Sequence, residues 1–217
     1  LGSEARYRGK DIILGPGVNI IRTPLCGRNF EYMSEDPCLI SKMSPELVKG
    51  IQSQDVAACV KHYCLNNQEL DRHHVNVDVS DRALHEIYLK GFYSAIMEGE
   101  AWSVMGAYNL YKGQYCCHND YLVNYVLKDS WGFDGVYLTD WGGASDTEES
   151  IYNGLDIEMG TNLPYNEYYL ADAFLERAKE SEVVRELLDD KVRRILGLMF
   201  RVKKFDADRK KGEFNTP

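Results

Sequence analysis

The stretch GVYLTDW at residues 135–141 is a short apolar run that ends in a carboxylate and an indole. Its length and composition predict a buried strand, with Asp140 and Trp141 at its C-terminal edge. In parallel α/β architectures the carboxyl ends of the strands open into the reaction cleft. We therefore predict that Asp140 belongs to an active site. A helix-capping or turn role is the alternative for a single aspartate in this position.

Strand-like and helix-like segments alternate about five times around this run. This alternation predicts a parallel sheet with right-handed crossovers, so the fold class is α/β. A doubly wound sheet would call for a GxGxxG or P-loop motif, and Gly15-Pro16-Gly17 is too short for either. With 217 residues, below the roughly 250 of a closed barrel, we expect part of a (β/α)8 TIM-like barrel. The predicted strands cover 11–21, 55–65, 101–110, 135–140 and 155–159. Two predicted helices start from N-caps, one at Ser44 with Pro45 as its first helical residue and one at Ser80. The other predicted helices cover 121–129, 144–153, 168–179 and 183–202.

The composition excludes several classes of protein. The chain is 44% apolar and 27% charged, as in a globular protein, and its formal net charge of −9 disfavours nucleic acid as a partner. No apolar stretch reaches the ~20 residues of a membrane span, and no signal-peptide pattern opens the chain. The six scattered cysteines favour a reducing, cytoplasmic location. We expect no metal and no cofactor, because Cys59 and Cys64 cannot both share the strand face of His62.

Polar side chains follow the predicted strands where each strand ends. Arg28 lies in a loop with several acids, Lys61-His62 close the second strand, and Tyr108 closes the third. Together with Asp140 and Trp141 they give hydrogen-bond donors, a carboxylate and an aromatic plate, which suits a polyol ligand. The structural alternatives are a loop-stapling ion pair for Arg28, a core position for His62 and a structural hydroxyl for Tyr108.

These motifs resemble the barrel domain of glycoside hydrolase family 3, the retaining β-glucosidase and β-xylosidase family. By this resemblance Asp140 is the nucleophile, while Arg28, Lys61, His62, Arg72 and Tyr108 line the sugar subsite, with Met105 also binding substrate and Trp141 forming an apolar wall. The barrel of the family begins upstream, so the resemblance implies a barrel that lacks its first strands. The matching segments, in the order of the family, are GRNFE (27–31), SEDP (34–37), KH (61–62), NNQE (66–69) with Arg72, Met105 with YN (108–109), WGFDG (131–135) and TDW (139–141).

The resemblance implies a retaining, exo-acting β-glycosidase. It would remove non-reducing terminal β-linked glucose from oligosaccharides or aryl glycosides through a covalent glycosyl-enzyme on Asp140. A β-xylosidase is the alternative within the family, and a non-catalytic sugar-binding or interaction module is the alternative outside it.

The resemblance also implies what this chain does not supply. The acid/base residue is expected outside it, because Glu31 and Glu35 are expected to support the arginine loop and Glu69 to order the loop around Arg72. Residues 1–202 form the predicted barrel fragment, and 203–217 a linker toward an α/β-sandwich domain. Other polypeptide is expected to complete the barrel, whose open sheet would otherwise expose an edge and an apolar inner face.

Overall fold

The structure, a computed structural model, describes residues 1–160 and 163–209. Its centre is a parallel four-stranded sheet of β1 (Ile12–Ile13), β2 (Ala57–Tyr63), β4 (Ser103–Gly106) and β7 (Val136–Leu138), in the order β1-β2-β4-β7. A second sheet, which the sequence did not predict, joins β3 (Asn76–Val77), β5 (Leu110–Tyr111) and β6 (Gln114–Tyr115). The parallel sheet and its crossover helices confirm an α/β fold that forms part of a TIM-like barrel.

Helices connect these strands. Ser80 is the N-cap of the helix that begins at Asp81, as predicted. Its hydroxyl accepts a hydrogen bond from the Ala83 amide at 3.2 Å. None of the described helices is long and apolar enough to cross a membrane. The helices are α1 (Gly2–Tyr7), α2 (Pro37–Gln52), α3 (Asp81–Ala83, continued by a π-helical turn Leu84–Tyr88), α4 (Lys90–Met97), a π-helical segment (Tyr121–Ser130), α5 (Thr147–Tyr152), α6 (Asp172–Glu180) and α7 (Glu182–Arg201).

Helix α2 begins eight residues earlier than predicted. Asp36 is its N-cap and accepts the Cys38 amide at 2.7 Å, and Pro37 occupies the first turn, so the predicted cap at Ser44 is wrong. Asp-Pro carries the same capping signal as Ser-Pro and precedes it in the chain. Pro45 lies inside the helix instead of starting it.

All five predicted strands are shorter in the structure, including 101–110, of which only β4 joins the parallel sheet, and two of the five are reduced to two residues or fewer. The segment 11–21 is a regular strand only at β1, because proline at position 16 has no amide hydrogen to donate to a ladder. Beyond it the backbone still runs beside β2, with Lys61 donating to the Pro16 carbonyl and accepting from the Val18 amide, both at 2.9 Å. The predicted strand 155–159 is reduced to one parallel bridge between Leu138 and Ile157.

Both faces of the parallel sheet are covered by this chain. Ala58, Val60 and Val104 pack in the main apolar core with α2 and α4, whereas alternate residues face the other side. The residues of that second face form a smaller buried cluster with Leu198 of α7 and with Val202, which follows α7. The prediction of an exposed inner face is therefore wrong for the described residues. The members of this second cluster are Ala57, Cys59, Met105, Val136, Leu138, Leu198 and Val202.

The start of the predicted linker 203–217 is anchored to the N-terminal part of the chain. The ammonium of Lys203 lies 3.1 Å from the carboxylate of Asp55, and that of Lys204 lies 2.9 Å from Asp11. Residues 210–217 lie outside the described residues. The linker role stays a prediction.

A buried ion pair supports the strand that carries Asp140. Asp156 accepts the Tyr137 amide at 2.8 Å through one oxygen and lies 2.8 Å from the Lys128 ammonium through the other. Burial lowers the pKa of Lys128, against the raising effect of Asp156. Lys191 is buried beside them and donates to the Leu155 carbonyl, and burial lowers its pKa to about 8.

We expect Asp156→Ala to lower the free energy of unfolding by about 3–5 kcal/mol, because it leaves a buried ammonium and a buried amide without their partner. Urea or thermal unfolding measures this. The matched control is Glu176→Ala, which removes an exposed ion pair with Lys179 and should change the free energy of unfolding little, because solvent screens such a pair. Equal effects of the two substitutions would show that the Asp156 pair does not hold β7 in place.

Candidate active site

Asp140 follows β7 at the carboxyl edge of the sheet, and its side chain is largely buried, with 6% of the residue exposed. Its Oδ1 accepts the Trp141 amide at 2.8 Å. Its Oδ2 lies 3.6 Å from Nη1 of Arg28 and 3.5 Å from Nε2 of His62. Both distances exceed the 2.7–3.2 Å usual for N–H···O hydrogen bonds, so Oδ2 faces two donors without being bound tightly by either.

Glu31 joins the Arg28 loop to the end of β2. Its carboxylate lies 2.5 Å from Nε of Arg28 and 2.8 Å from Nζ of Lys61. Burial alone would raise the pKa of Glu31, but the hydrogen bonds from Lys61 and Arg28 outweigh it and lower the pKa. Burial likewise opposes the charge on Arg28, while Glu31 raises the pKa of the guanidinium.

His62 is buried, with 1% of the residue exposed. The Asn19 amide clamps its backbone: Asn19 donates to the His62 carbonyl at 2.9 Å and accepts from the His62 amide at 2.7 Å. Its ring Nδ1 lies 3.1 Å from the Tyr32 hydroxyl. Burial lowers the pKa of His62 to about 2, and the positive charges of Arg28, Lys61 and Arg72 add to the effect. The ring is therefore neutral at ordinary pH.

Arg72 and Tyr108 form the opposite side of the site. Nη1 of Arg72 donates to Glu69 at 2.6 Å, and the guanidinium carbon lies 4.5 Å from the centre of the Tyr108 ring, within cation–π range. The Tyr108 hydroxyl donates to the Trp141 carbonyl at 2.8 Å. Burial raises the pKa of Tyr108, and the charge of Asp140 and its side-chain interaction with the hydroxyl raise it further, so the phenol stays protonated.

The turn after Asp140 is held by hydrogen bonds on both sides. The Gly143 amide donates to the Asp140 carbonyl at 2.9 Å, and the Met159 amide donates to the Thr139 hydroxyl at 2.8 Å. Gly142 adopts a φ of +68°, which favours glycine. Trp141, 54% exposed, projects from this turn. Asp140 is thus fixed while the indole beside it stays open to a ligand.

Buried His118 anchors the segment that runs from Asp140 to α5. Nε2 of His118 lies 2.9 Å from the Ser145 hydroxyl, and Nδ1 lies 2.7 Å from the Glu149 carboxylate. Burial lowers the pKa of His118, against the raising effect of Glu149. The segment from Asp140 to α5 therefore has side-chain anchors in addition to its backbone bonds.

The structure brings most of the predicted site residues together. Asp140 lies next to Arg28, His62, Tyr108 and Trp141. Lys61 is linked to Arg28 through Glu31, and Arg72 is bound by Glu69 and stacks on Tyr108. Met105 instead belongs to the second apolar cluster, beside Leu138, with 1% of the residue exposed. Among the ion pairs of the described residues, the arginine or lysine paired with Asp140 is Arg28.

Sequence reasoning missed three residues. Tyr32, Asn19 and Asn66 are all buried, and each hydrogen-bonds His62 or a partner of His62. Asn66 was part of a recognised motif, but nothing in its spacing indicated which side chain it would contact. In residues 1–160 and 163–209 no group of three or more His, Cys, Asp or Glu side chains could hold a metal ion. Cys59 and Cys64 lie in different apolar clusters.

By its fold the chain is a TIM-barrel-like α/β protein, and it belongs to glycosyl hydrolase family 3. The model described as "Glycosyl hydrolase family 3 N terminal domain" matches residues 1–198. The chain is 52% identical over 210 residues to Beta-glucosidase BoGH3A of Bacteroides ovatus, covering 93% of this chain and 28% of that protein. It is 43% identical over 200 residues to Thermostable beta-glucosidase B of Acetivibrio thermocellus, covering 92% of this chain and 26% of that protein.

Solved structures agree with this assignment. The structure of beta-glucosidase 3B from Thermotoga neapolitana in complex with glycerol aligns with a TM-score of 0.90 and 41% identity, covering 99% of this chain and 30% of that one. The complex of the same enzyme with alpha-D-glucose aligns over the same shares with a TM-score of 0.88 and the same identity. The chain thus spans between about a quarter and a third of the length of these relatives.

A neutral, buried His62 should make folding sensitive to acid. Below the ordinary value of 6.5 the unfolded chain takes up a proton that the folded chain, with a pKa of about 2, does not. The free energy of unfolding should therefore fall as pH drops from 6.5 toward 2, by up to about 1.4 kcal/mol per pH unit from this group. His62→Gln removes this contribution. We expect urea unfolding of the variant between pH 4 and 6 to show a shallower slope against pH than the unsubstituted protein, and identical slopes would contradict a neutral His62.

Proposed function

We propose that this chain carries the nucleophile half of a retaining, exo-acting β-glycosidase site of the β-glucosidase type. Asp140 would attack the anomeric carbon of a non-reducing terminal β-linked glucose and form a covalent glycosyl-enzyme. Water would then hydrolyse this intermediate with help from a second carboxyl group. Residues 1–202 would form the barrel part, and other polypeptide, including a sandwich domain reached through 203–217, would complete the enzyme.

The main support for the proposal is the distance from each carboxylate oxygen of the site to its nearest donors. Both oxygens of Glu31 and both of Glu69 lie within 3.2 Å of donors. Oδ2 of Asp140 has its neighbours at 3.5 and 3.6 Å. The Asp140 carboxylate also interacts with the Tyr108 hydroxyl, but among the described residues no cation lies as close to it as those that pair with Glu31 and Glu69. Its lone pairs are therefore less engaged by cations than those of the two glutamates, which suits a nucleophile.

The surrounding donors suit a sugar. Arg28, Lys61 and Arg72 are cations held in fixed positions by glutamates, so their remaining N–H groups can bind hydroxyls through charge-assisted hydrogen bonds. His62 would add a donor without adding charge. Trp141 would pack against the apolar face of the ring. Bonds to the hydroxyls that strengthen in the oxocarbenium-like transition state would contribute to the rate.

The acid/base residue is proposed to come from outside the chain. A general acid must be protonated when the leaving group departs, but hydrogen bonds from Lys61 and Arg28 lower the pKa of Glu31. Glu69 is engaged by Arg72 and Asn66. Both glutamates therefore act as structural acceptors, which favours a carboxyl group from the additional polypeptide.

The relatives support glucose as the sugar. Those quoted above are named beta-glucosidases, and one is described with alpha-D-glucose bound. A β-xylosidase of the same family is the second candidate. Xylose lacks the exocyclic hydroxymethyl group, so the ratio of kcat/KM for the two aryl glycosides would separate the two activities.

A first experiment tests the nucleophile in the complete protein. A 2-fluoro β-glucoside should label Asp140, because the fluorine slows hydrolysis of the glycosyl ester more than its formation. Peptide mapping by mass spectrometry locates the label, and a label on a different carboxylate would refute the assignment.

The corresponding substitution is Asp140→Asn. We expect turnover of an aryl β-glucoside to be abolished while the unfolding midpoint changes little, because the amide keeps the volume but cannot form the ester. Asp134→Asn is the matched control, since Asp134 is exposed and pairs only with Arg201 among the described ion pairs. Unchanged turnover in the Asp140 variant would refute the mechanism.

A second experiment tests the external acid. Loss of general acid catalysis should cost about 10²- to 10⁴-fold with a poor leaving group and far less with dinitrophenolate, which departs unaided. We therefore expect residues 1–217 alone to leave cellobiose intact, whereas the complete protein cleaves it. Proton NMR should show the β anomer as the first product. If the α anomer appears first, the retaining mechanism is refuted. Efficient cleavage of cellobiose by residues 1–217 alone would place the acid/base residue within them. An inactive complete protein would favour a non-catalytic module.

A further inference from the structure

We propose that Tyr32 is a positioning residue that fixes His62 as its Nε2–H tautomer, through a directional hydrogen-bond relay from Glu69 by way of Asn66. This inference deepens the proposed function, because it assigns the proton that His62 presents toward Asp140. Tyr32, Asn66 and Glu69 act on Asp140 only through His62.

The direction of the relay is set at Glu69. Its Oε2 accepts from Arg72 at 2.6 Å, and its Oε1 lies 3.2 Å from the Asn66 side-chain amide. A carboxylate paired with a guanidinium can only accept, so the atom of Asn66 that faces it must be the nitrogen. The opposite amide orientation would place two oxygens against each other in a buried site.

The same Asn66 nitrogen fixes the hydroxyl of Tyr32. An amide nitrogen carries two hydrogens, and Nδ2 of Asn66 lies 3.2 Å from the Tyr32 oxygen as well as from Glu69. Tyr32 therefore accepts from Asn66 and must send its own proton elsewhere. The other partner of this hydroxyl in the described structure is Nδ1 of His62, at 3.1 Å.

Two further observations support the proton positions. Burial raises the pKa of Tyr32, so its hydroxyl remains a donor, and the lowered pKa of His62 leaves one proton on the ring. Tyr32, Asn66 and His62 are buried, so water does not compete freely for the bonds between them. If Nδ1 accepts from Tyr32, the single ring proton is on Nε2.

The result is a neutral donor aimed at the reacting carboxylate. Nε2 is a buried atom without a protein hydrogen bond and lies 3.5 Å from Oδ2 of Asp140. With a proton on Nε2 this approach is attractive, and the same N–H can bind a ligand hydroxyl between the two groups. The other tautomer would turn a nitrogen lone pair toward the carboxylate, with no donor for the ligand.

Neutron diffraction from deuterium-exchanged crystals of the complete, ligand-free protein tests the relay directly. We expect deuterium on Nε2 of His62 and on the Tyr32 oxygen toward Nδ1. Deuterium on Nδ1, or a Tyr32 hydroxyl that points to Asn66, would overturn the proposal. This outcome does not depend on catalysis, so it can fail or succeed separately from the glycosidase assignment.

Substitution tests the consequence. Tyr32→Phe keeps the ring but removes the donor to Nδ1, so ¹⁵N NMR of histidine-labelled protein should show His62 as a tautomer mixture, with its signal assigned by its loss in His62→Gln. We expect kcat/KM for an aryl β-glucoside to fall about 3- to 10-fold, the effect of one lost hydrogen bond.

The matched control is Tyr63→Phe. It removes an equally buried hydroxyl, which donates to the Leu122 carbonyl at 2.9 Å outside the relay. This control should lower stability without changing the His62 signal. A pure Nε2–H signal in Tyr32→Phe, or equal shifts in both variants, would overturn the role of Tyr32. Should Tyr32→Phe fail to fold, the neutron structure alone decides.

Discussion

The carboxylate of Glu31 accepts from Arg28 and Lys61, and the arrangement of the site depends on these two contacts. Arg28 and Glu31 lie in the loop after β1, whereas Lys61 lies near the end of β2, so one carboxylate joins two separate parts of the carboxyl edge. All three side chains are partly buried, and removing Glu31 would leave two cations that have lost part of their hydration without their shared partner. Asp140 would then be the described carboxylate within reach of Arg28. Glu31 thus keeps Arg28 from binding the proposed nucleophile more tightly.

Much of the fold could be predicted because burial leaves a strong periodic pattern. The runs around β2, β4 and β7 are nearly continuous in apolar residues, and their parallel order follows from the crossover rule. The errors arose where local signals were equivalent or too short to decide the structure. Asp36-Pro37 and Ser44-Pro45 carry equivalent capping signals, and only tertiary packing selects between them. The short second sheet pairs strands of two residues, too few to produce an alternating pattern. The compartment and the linker stay predictions.

The positions of the site residues could also be predicted, since side chains at the ends of neighbouring parallel strands meet at one edge. The directions in which these side chains point could not be predicted. Lys61 and His62 are adjacent, yet both enter the site, where the register of β2 against β4 shifts between Val60 and Tyr63. Tyr32 and Asn66 escaped prediction for a related reason. Their contribution lies in which atom donates to which, and that depends on a chain of contacts between segments distant in sequence.

The charges of the site are balanced in a way that suits the proposed chemistry. Arg28, Lys61 and Arg72 supply three positive charges, while Glu31, Glu69 and Asp140 supply three negative ones. A site built only from cations would hold sugar hydroxyls well but would oppose the positive charge that develops on the sugar in an oxocarbenium-like transition state. Pairing two cations with Glu31 and one with Glu69 keeps their donors while offsetting their charge. In the proposed mechanism a neutral His62 has the same effect, because it would add a donor beside Asp140 and leave the negative charge of that carboxylate to face the reacting carbon.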